Sequence, residues 1–202
     1  MSRCVLIALA VLPVASPILP TVAHSQAGGR SAAVHASAPK EGAQFAFLVG
    51  LWEVTATPKV SSLAAKIHGA PKFHGTWKAW RAFDGFGIED ELRIADRSGN
   101  PSALSHALRS FDASRGRWTQ TMLDVYRGRF TTAEGSWTNG TMTLTSAGTD
   151  AEEKPMLTRS RFYDITPATF KYQTDRSLDG GRSWETAILR IDAKRVAATA
   201  PR

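Results

Sequence analysis

Five charged residues lie among apolar and aromatic neighbours in segments of alternating hydrophobicity: Arg81, Asp90, Arg109, Asp124 and Arg161. Guanidinium groups bind carboxylates and phosphates through charge-assisted, often bidentate, hydrogen bonds. A carboxylate in a cavity can instead act as a general acid or base. Because the set contains three arginines and only two aspartates, it favours binding of an anionic group. Acid–base chemistry is the alternative.

The elements that must position these residues are β-strands. From residue 44 onward, short segments rich in Val, Ile, Thr and aromatic residues alternate with turn sequences, of which Asn139-Gly140 is the strongest hairpin signal. The predicted strands span 45–57, 72–83, 87–95, 102–111, 117–125, 129–137, 141–148, 156–165, 169–177 and 184–194.

Only the segment 60–68 has a helical pattern, with Leu63, Ala64 and Ile67 on one face. Consecutive hairpins without long crossovers indicate an antiparallel meander, and closure removes its two exposed edges. The sequence therefore predicts an all-β fold: a single antiparallel, up-and-down barrel of about ten strands over residues 44–195, with one short helix after strand one. A barrel of this size can enclose a small ligand.

Turn positions predict which charged residues face each other inside the barrel. If residues 84–87 form a four-residue loop, Arg81 lies opposite Asp90 on an otherwise apolar face, as a structural pair. The same counting places Arg109 opposite Gln120 and Arg161 opposite Thr174. Interior cations without a partner need water or an anion. The predicted ligand-binding residues are Arg109, Gln120, Asp124, Arg161 and Tyr172.

The first predicted strand carries a family resemblance. Residues 45–54, FAFLVGLWEV, resemble the F-x-F-L-x-G-x-W opening of an uncharacterised family of secreted bacterial lipocalin-like domains, and Gly50 and Trp52 resemble the Gly-x-Trp signature of calycins in general. Residues 110–124 and 179–184 are similar to later blocks of the same family. The resemblance implies a calycin-type barrel without established activity, in which a basic residue of the last strand packs over Trp52. Arg190 is the first candidate for that residue and Lys194 the second.

The N-terminus has the pattern of a secretory signal peptide. Arg3 precedes a short apolar run, Cys4–Ala15, and small residues lead up to Ala27. The run is shorter than the roughly 20 apolar residues of a membrane span. We expect a signal peptide at 1–27, a flexible linker at 28–43 and a C-terminal tail at 196–202. The predicted location is periplasmic or extracellular, and Cys4, the only cysteine, would be removed.

Composition and motifs narrow the possible partners. The 202-residue chain has 25 Lys and Arg against 18 Asp and Glu, a net charge of +7, but the basic residues are scattered, so no nucleic-acid surface is predicted. His68 and His74 lack a third ligand nearby, so no metal site is expected. Phosphate-loop and dinucleotide motifs are missing from the sequence, and no cofactor is predicted. The sequence leaves the oligomeric state open.

Three functions are compatible with these features. The leading hypothesis is an exported, non-catalytic protein that binds a small amphiphilic or anionic molecule in the barrel cavity. Alternatives are a small hydrolase-type enzyme that uses Asp90 or Asp124, and an envelope interaction module whose barrel is filled by its own side chains. Three arginines around one empty volume would favour the binding protein, and an unpaired carboxylate would favour the enzyme. Interior polar groups that all pair with one another would favour the interaction module.

Overall fold

The computed structural model describes residues 37–60, 67, 69–150 and 152–196. The strands are β1 (Gly50–Pro58), β2 (Phe73–Ala82), β3 (Gly87–Ala95), β4 (Pro101–Asp112), β5 (Arg117–Asp124), β6 (Arg129–Thr138), β7 (Thr141–Thr149), β8 (Pro155–Tyr163), β9 (Thr169–Ser177) and β10 (Glu185–Arg195). Each strand pairs antiparallel with its neighbours in sequence, and β1 pairs with β10 to close the barrel. The predicted all-β, ten-strand, up-and-down barrel is confirmed.

A 3-10 helix, Lys40–Leu48, precedes β1 and packs against the barrel interior. The prediction of a linker to residue 43 and a strand from residue 45 is wrong here. Phe45 and Leu48 are three residues apart and both fully buried, which matches the three-residue period of a 3-10 helix. Gln44 of this helix accepts a 2.8 Å hydrogen bond from the Trp118 indole nitrogen.

Aromatic side chains fill the end of the barrel that receives this helix. Phe45 contacts Trp118 edge to face at 4.7 Å between ring centroids, and Trp52 contacts Phe170 in the same way at 4.7 Å. The Trp52 indole nitrogen donates a 2.7 Å bond to the carbonyl of Leu48. We call this the closed end of the barrel.

The cation over Trp52 is Arg195, and the predictions of Arg190 and Lys194 are wrong. The Arg195 guanidinium lies 4.0 Å from the Trp52 ring and donates to the carbonyls of Phe47 and Val49 at 2.8 Å each. Arg195 is directly opposite Trp52 in the β1–β10 register, whereas Arg190 is opposite Thr57 and exposed. Gly50 has a φ of 128°, and a Cβ there would lie 2.5 Å from the Arg195 guanidinium, so glycine makes room for this cation.

Several sequence predictions fall outside the described residues. They include the signal peptide at 1–27, the linker up to residue 36 and the tail beyond residue 196. Of the predicted helix at 60–68, only Val60 and Ile67 are described. In the described part of the chain, no helix has the length and apolar character to cross a membrane.

Candidate functional site

The β2–β3 register differs from the sequence prediction by two residues. Arg81 is opposite Ile88, and Asp90 is opposite Ala79, so the predicted Arg81–Asp90 pair does not form. Arg81 is exposed and lies beside Asp84 and Lys40 in a surface cleft at the closed end. Gly87, predicted to be a loop residue, belongs to β3, because without a Cβ it approaches the Arg109 carbonyl oxygen. The four-residue loop therefore runs from Phe83 to Phe86.

The buried partner of Asp90 is Arg109. Their side chains, about 3% and 4% exposed, form an ion pair between the Asp90 Oδ2 and Arg109 Nη1 atoms. The Trp77 indole nitrogen donates a 2.7 Å bond to Asp90 Oδ1. The Arg109 guanidinium also lies 5.3 Å from the Phe45 ring and 5.6 Å from the Phe162 ring. Burial lowers the pKa of Arg109 to about 10, which leaves it charged at neutral pH.

Arg161 lies on the outer wall, because the β8–β9 register differs by one residue from the prediction. Arg161 is opposite Gln173, not Thr174, while Phe162 takes the interior position. The turn itself is where the sequence predicts it, since the Thr166 amide donates to the Thr169 carbonyl at 2.8 Å. Asp164, with a φ of 50°, adds one residue before this turn and reverses the faces of β8.

On the outer face of the barrel, Asp175 is the centre of a hydrogen-bond cluster that the sequence did not predict. Its fully buried carboxylate accepts bonds from Arg159 and Arg161 at 2.9 Å each and from Gln173 at 2.7 Å. Burial raises the pKa of Asp175, but the Ala187 amide and these side chains outweigh that effect and lower it. The facing pairs Arg159-x-Arg161 and Gln173-x-Asp175 are the signal that could have revealed it. Arg161 is therefore a partner of Asp175 on the outer wall.

Hydroxyl groups line the interior beyond the ion pair, towards the end opposite the aromatic helix, which we call the open end. The Tyr172 hydroxyl donates a 2.8 Å bond to Ser160, whose hydroxyl lies 3.4 Å from that of Thr174. Ser146 and Thr158 share a 2.5 Å hydrogen bond. All five side chains are partly exposed, whereas the rings of Phe45, Trp52, Trp118 and Phe170 at the closed end are buried. We call Ser146, Thr158, Ser160, Tyr172 and Thr174 the hydroxyl wall.

Apolar and amide groups complete this half of the interior. Leu92, Met122 and Leu189 occupy interior positions on β3, β5 and β10 and are also partly exposed. Gln120 is opposite Arg109, as predicted, and its Oε1 atom is buried without a hydrogen-bond partner. An unpaired buried carbonyl is costly, so this atom is suited to accept a bond from a donor that enters the barrel.

Asp124 ends β5 at the open end and is paired locally. Partial burial raises its pKa, but the side-chain and backbone bonds from Arg127 outweigh burial and hold the pKa below its usual value. Arg127 Nη1 lies 2.7 Å from its carboxylate. Both carboxylates considered for catalysis, Asp90 and Asp124, thus have arginine partners, an arrangement that favours a structural role for each. The described residues contain no group of three or more His, Cys, Asp or Glu that could hold a metal ion.

No protein-family model matches this sequence, and no curated protein matches it either. Among solved structures, the chain is similar to the S-type phycobiliprotein lyase CPES from Guillardia theta, with a TM-score of 0.50 and 13% identity over 77% of this chain and 92% of that chain. It is also similar to EF1p2_mFAP2b bound to DFHBI, with a TM-score of 0.41 and 11% identity over 77% of this chain and 98% of that one. At 13% identity the likeness to the lyase shows the fold alone: the protein is a closed, calycin-like β-barrel.

Proposed function

We propose that this protein is an exported, non-catalytic binding protein that holds a small amphiphilic molecule in the open half of its barrel. The observation that carries the proposal is the change in the interior along the barrel axis. Buried rings such as Trp52, Trp118 and Phe170 fill the closed end, whereas the other half has a partly exposed hydroxyl wall facing apolar side chains. Concave sites with apolar walls and a few polar groups are typical of small-molecule binding.

The charges inside the barrel favour an uncharged polar group over an anion. Asp90 neutralises Arg109 within the barrel, and Asp175 holds Arg161 outside it. The two arginines that were predicted to bind a carboxylate thus each have an aspartate partner, although the Nε atom of each is buried without a hydrogen-bond partner. Tyr172, Ser160 and the unpaired Gln120 carbonyl instead offer hydrogen bonds to hydroxyl or amide groups of a ligand.

Export is supported by the sequence alone. The charged N-terminus, the apolar run and the small residues before Gly28 have the pattern of a cleaved signal peptide. The resemblance of residues 45–54 to secreted bacterial lipocalin-like domains agrees with an exported location. N-terminal sequencing of exported protein should begin near Gly28, and a mature chain that still starts at Met1 would refute cleavage.

Two fluorescent lipids with the same label and chain, a monoacylglycerol and a fatty acid, test the choice of ligand. We expect the neutral lipid to bind at least as tightly as the anion. Tyr172→Phe should weaken its binding about 2- to 10-fold, the value of one net hydrogen bond. Ser136→Ala, on the exposed outer face of β6, is the matched control and should change nothing.

Native mass spectrometry of protein purified from its own host tests whether a ligand is retained. A retained neutral amphiphile supports the proposal. If no ligand is retained and neither lipid binds, the side-chain-filled interaction module replaces it. Binding of the fatty acid alone, unchanged in Tyr172→Phe, would restore the anion hypothesis.

A further inference from the structure

The turn between β5 and β6, together with the first residues of β6, exposes an unusual amount of apolar surface. Val125, Tyr126 and Phe130 are 40%, 53% and 72% exposed, and they lie within six consecutive residues, VYRGRF. We call residues 125–130 the aromatic tip. Among the described residues, Phe130 is the most exposed large hydrophobic side chain. Soluble proteins leave such groups exposed singly, but clustered exposure marks a contact surface.

The aromatic tip stands at the open end of the barrel. β1 runs from the closed end at Gly50 to the open end at Pro58, and β5, four antiparallel strands further on, runs the same way. Three other exposed apolar residues follow strands that end at this side: Val60, Ile67 and Leu178. The aromatic tip and the hydroxyl wall therefore share one end of the molecule, although Phe83 and Leu51 are exposed at the closed end.

Arginines accompany the aromatic residues of the tip. Arg127 and Arg129 are both exposed and separated by Gly128, which has a φ of 61° at the turn. Asp124, before the tip, bonds Arg127 and offsets one positive charge. Residues 125–130 contain no acidic side chain. Tyrosine side chains are enriched in the headgroup region of a bilayer, where their ring and hydroxyl meet both environments. Arginine side chains beside them attract anionic lipids.

We propose that the aromatic tip docks the open end of the barrel onto an anionic lipid surface. Tyr126 and Phe130 enter the headgroup region, and Arg129 contacts lipid phosphates. A second copy of the chain fits less well, because a six-residue tip offers far less than the roughly 800 Å² per partner of a stable interface. The docking rests on the tip alone. Its use for loading or unloading a ligand also rests on the proposed function.

Flotation of the full mature chain with phosphatidylcholine vesicles, with and without phosphatidylglycerol, tests this proposal. We expect binding that increases with phosphatidylglycerol and decreases with salt. The double variant Tyr126→Ser, Phe130→Ser should bind at least about tenfold more weakly, because interfacial affinity scales with buried apolar area. Arg129→Gln should lower only the phosphatidylglycerol-dependent part. Phe83→Ser is the matched control, since Phe83 is 60% exposed but lies at the closed end.

The outcomes separate the docking from the ligand proposal. Equal flotation of the wild type, the tip variant and the Phe83 variant overturns the docking, as does concentration-dependent dimerisation that the tip variant abolishes. Lipid-probe binding measured without vesicles should be unchanged in the tip variant. A protein that docks but binds no probe would refute the proposed function and leave the docking intact. Thermal unfolding of each variant excludes misfolding as the cause of lost flotation.

Discussion

Replacement of Arg109 by methionine should destabilise the barrel severely. Methionine fills most of the arginine volume but leaves the Asp90 side chain, about 3% exposed, with only the Trp77 indole as a partner. Removing one member of a buried ion pair costs about 3–5 kcal/mol, because the other charge stays buried. That cost is a large part of the roughly 5–15 kcal/mol that stabilises a typical domain.

Urea unfolding followed by tryptophan fluorescence measures this cost, and Arg81→Met is the control. Arg81 is exposed, so its replacement should change the free energy of unfolding by no more than about 0.5 kcal/mol. Asp90→Asn introduced into the Arg109→Met protein removes the stranded charge and should restore part of the loss. The reasoning is refuted if Arg81→Met costs several kcal/mol while Arg109→Met costs less than about 1 kcal/mol, because that is the result for an Arg81–Asp90 pair.

Three further predictions concern the closed end, a turn and the sheet. Arg195→Met should lower the free energy of unfolding by about 2–6 kcal/mol through the loss of a cation–π contact and of the bonds to the carbonyls of Phe47, Val49 and Pro167, whereas Arg190→Met should leave it unchanged. Hydrogen bonds from Ser183 and Ser177 lower the pKa of Asp179 to about 2. Asp179 therefore stabilises its turn fully above about pH 4, and this stabilisation is lost as the pH falls through about 2. NMR of the carboxyl carbon should show that midpoint. Gly135→Ala should cost about 3 kcal/mol or more, since its Cβ would overlap the Thr143 carbonyl, whereas Gly148→Ala meets no atom within 4 Å and should be tolerated in the same unfolding assay.

Strand content and order were predictable because they depend on local patterns. Alternating side chains and turn residues define each strand without knowledge of its partners. The register was also predictable where a hairpin has the expected turn: Trp137 is opposite Met142 across Asn139-Gly140, and Phe111 is opposite Trp118. In these hairpins the loop length determines every pair that follows.

The predicted register was wrong where the backbone has a local conformation that side-chain patterns do not reveal. A single left-handed residue, Asp164, moved Arg161 from the interior to the outer wall. The shift at Gly87 was two residues, so Asp90 stayed inside but lost Arg81 as its partner. An odd shift changes the face, and an even shift changes only the neighbour. The prediction of the ion pair was therefore right about its acid and wrong about its base.

The pairing of the charges changes the electrostatic character of the barrel interior. With Arg109 free, the interior would attract anions; with Asp90 beside it, the ion pair carries no net charge and separates two different environments. Along β9 the interior residues change from Phe170 to Tyr172 to Thr174, that is, from a buried ring to a ring with a hydroxyl to a hydroxyl alone. Position along one strand thus determines polarity within the barrel. Under the proposed function, a ligand that enters from the open end meets the hydroxyls of β8 and β9 first and the aromatic rings last. The depth it reaches then depends on how its own polar and apolar parts are arranged.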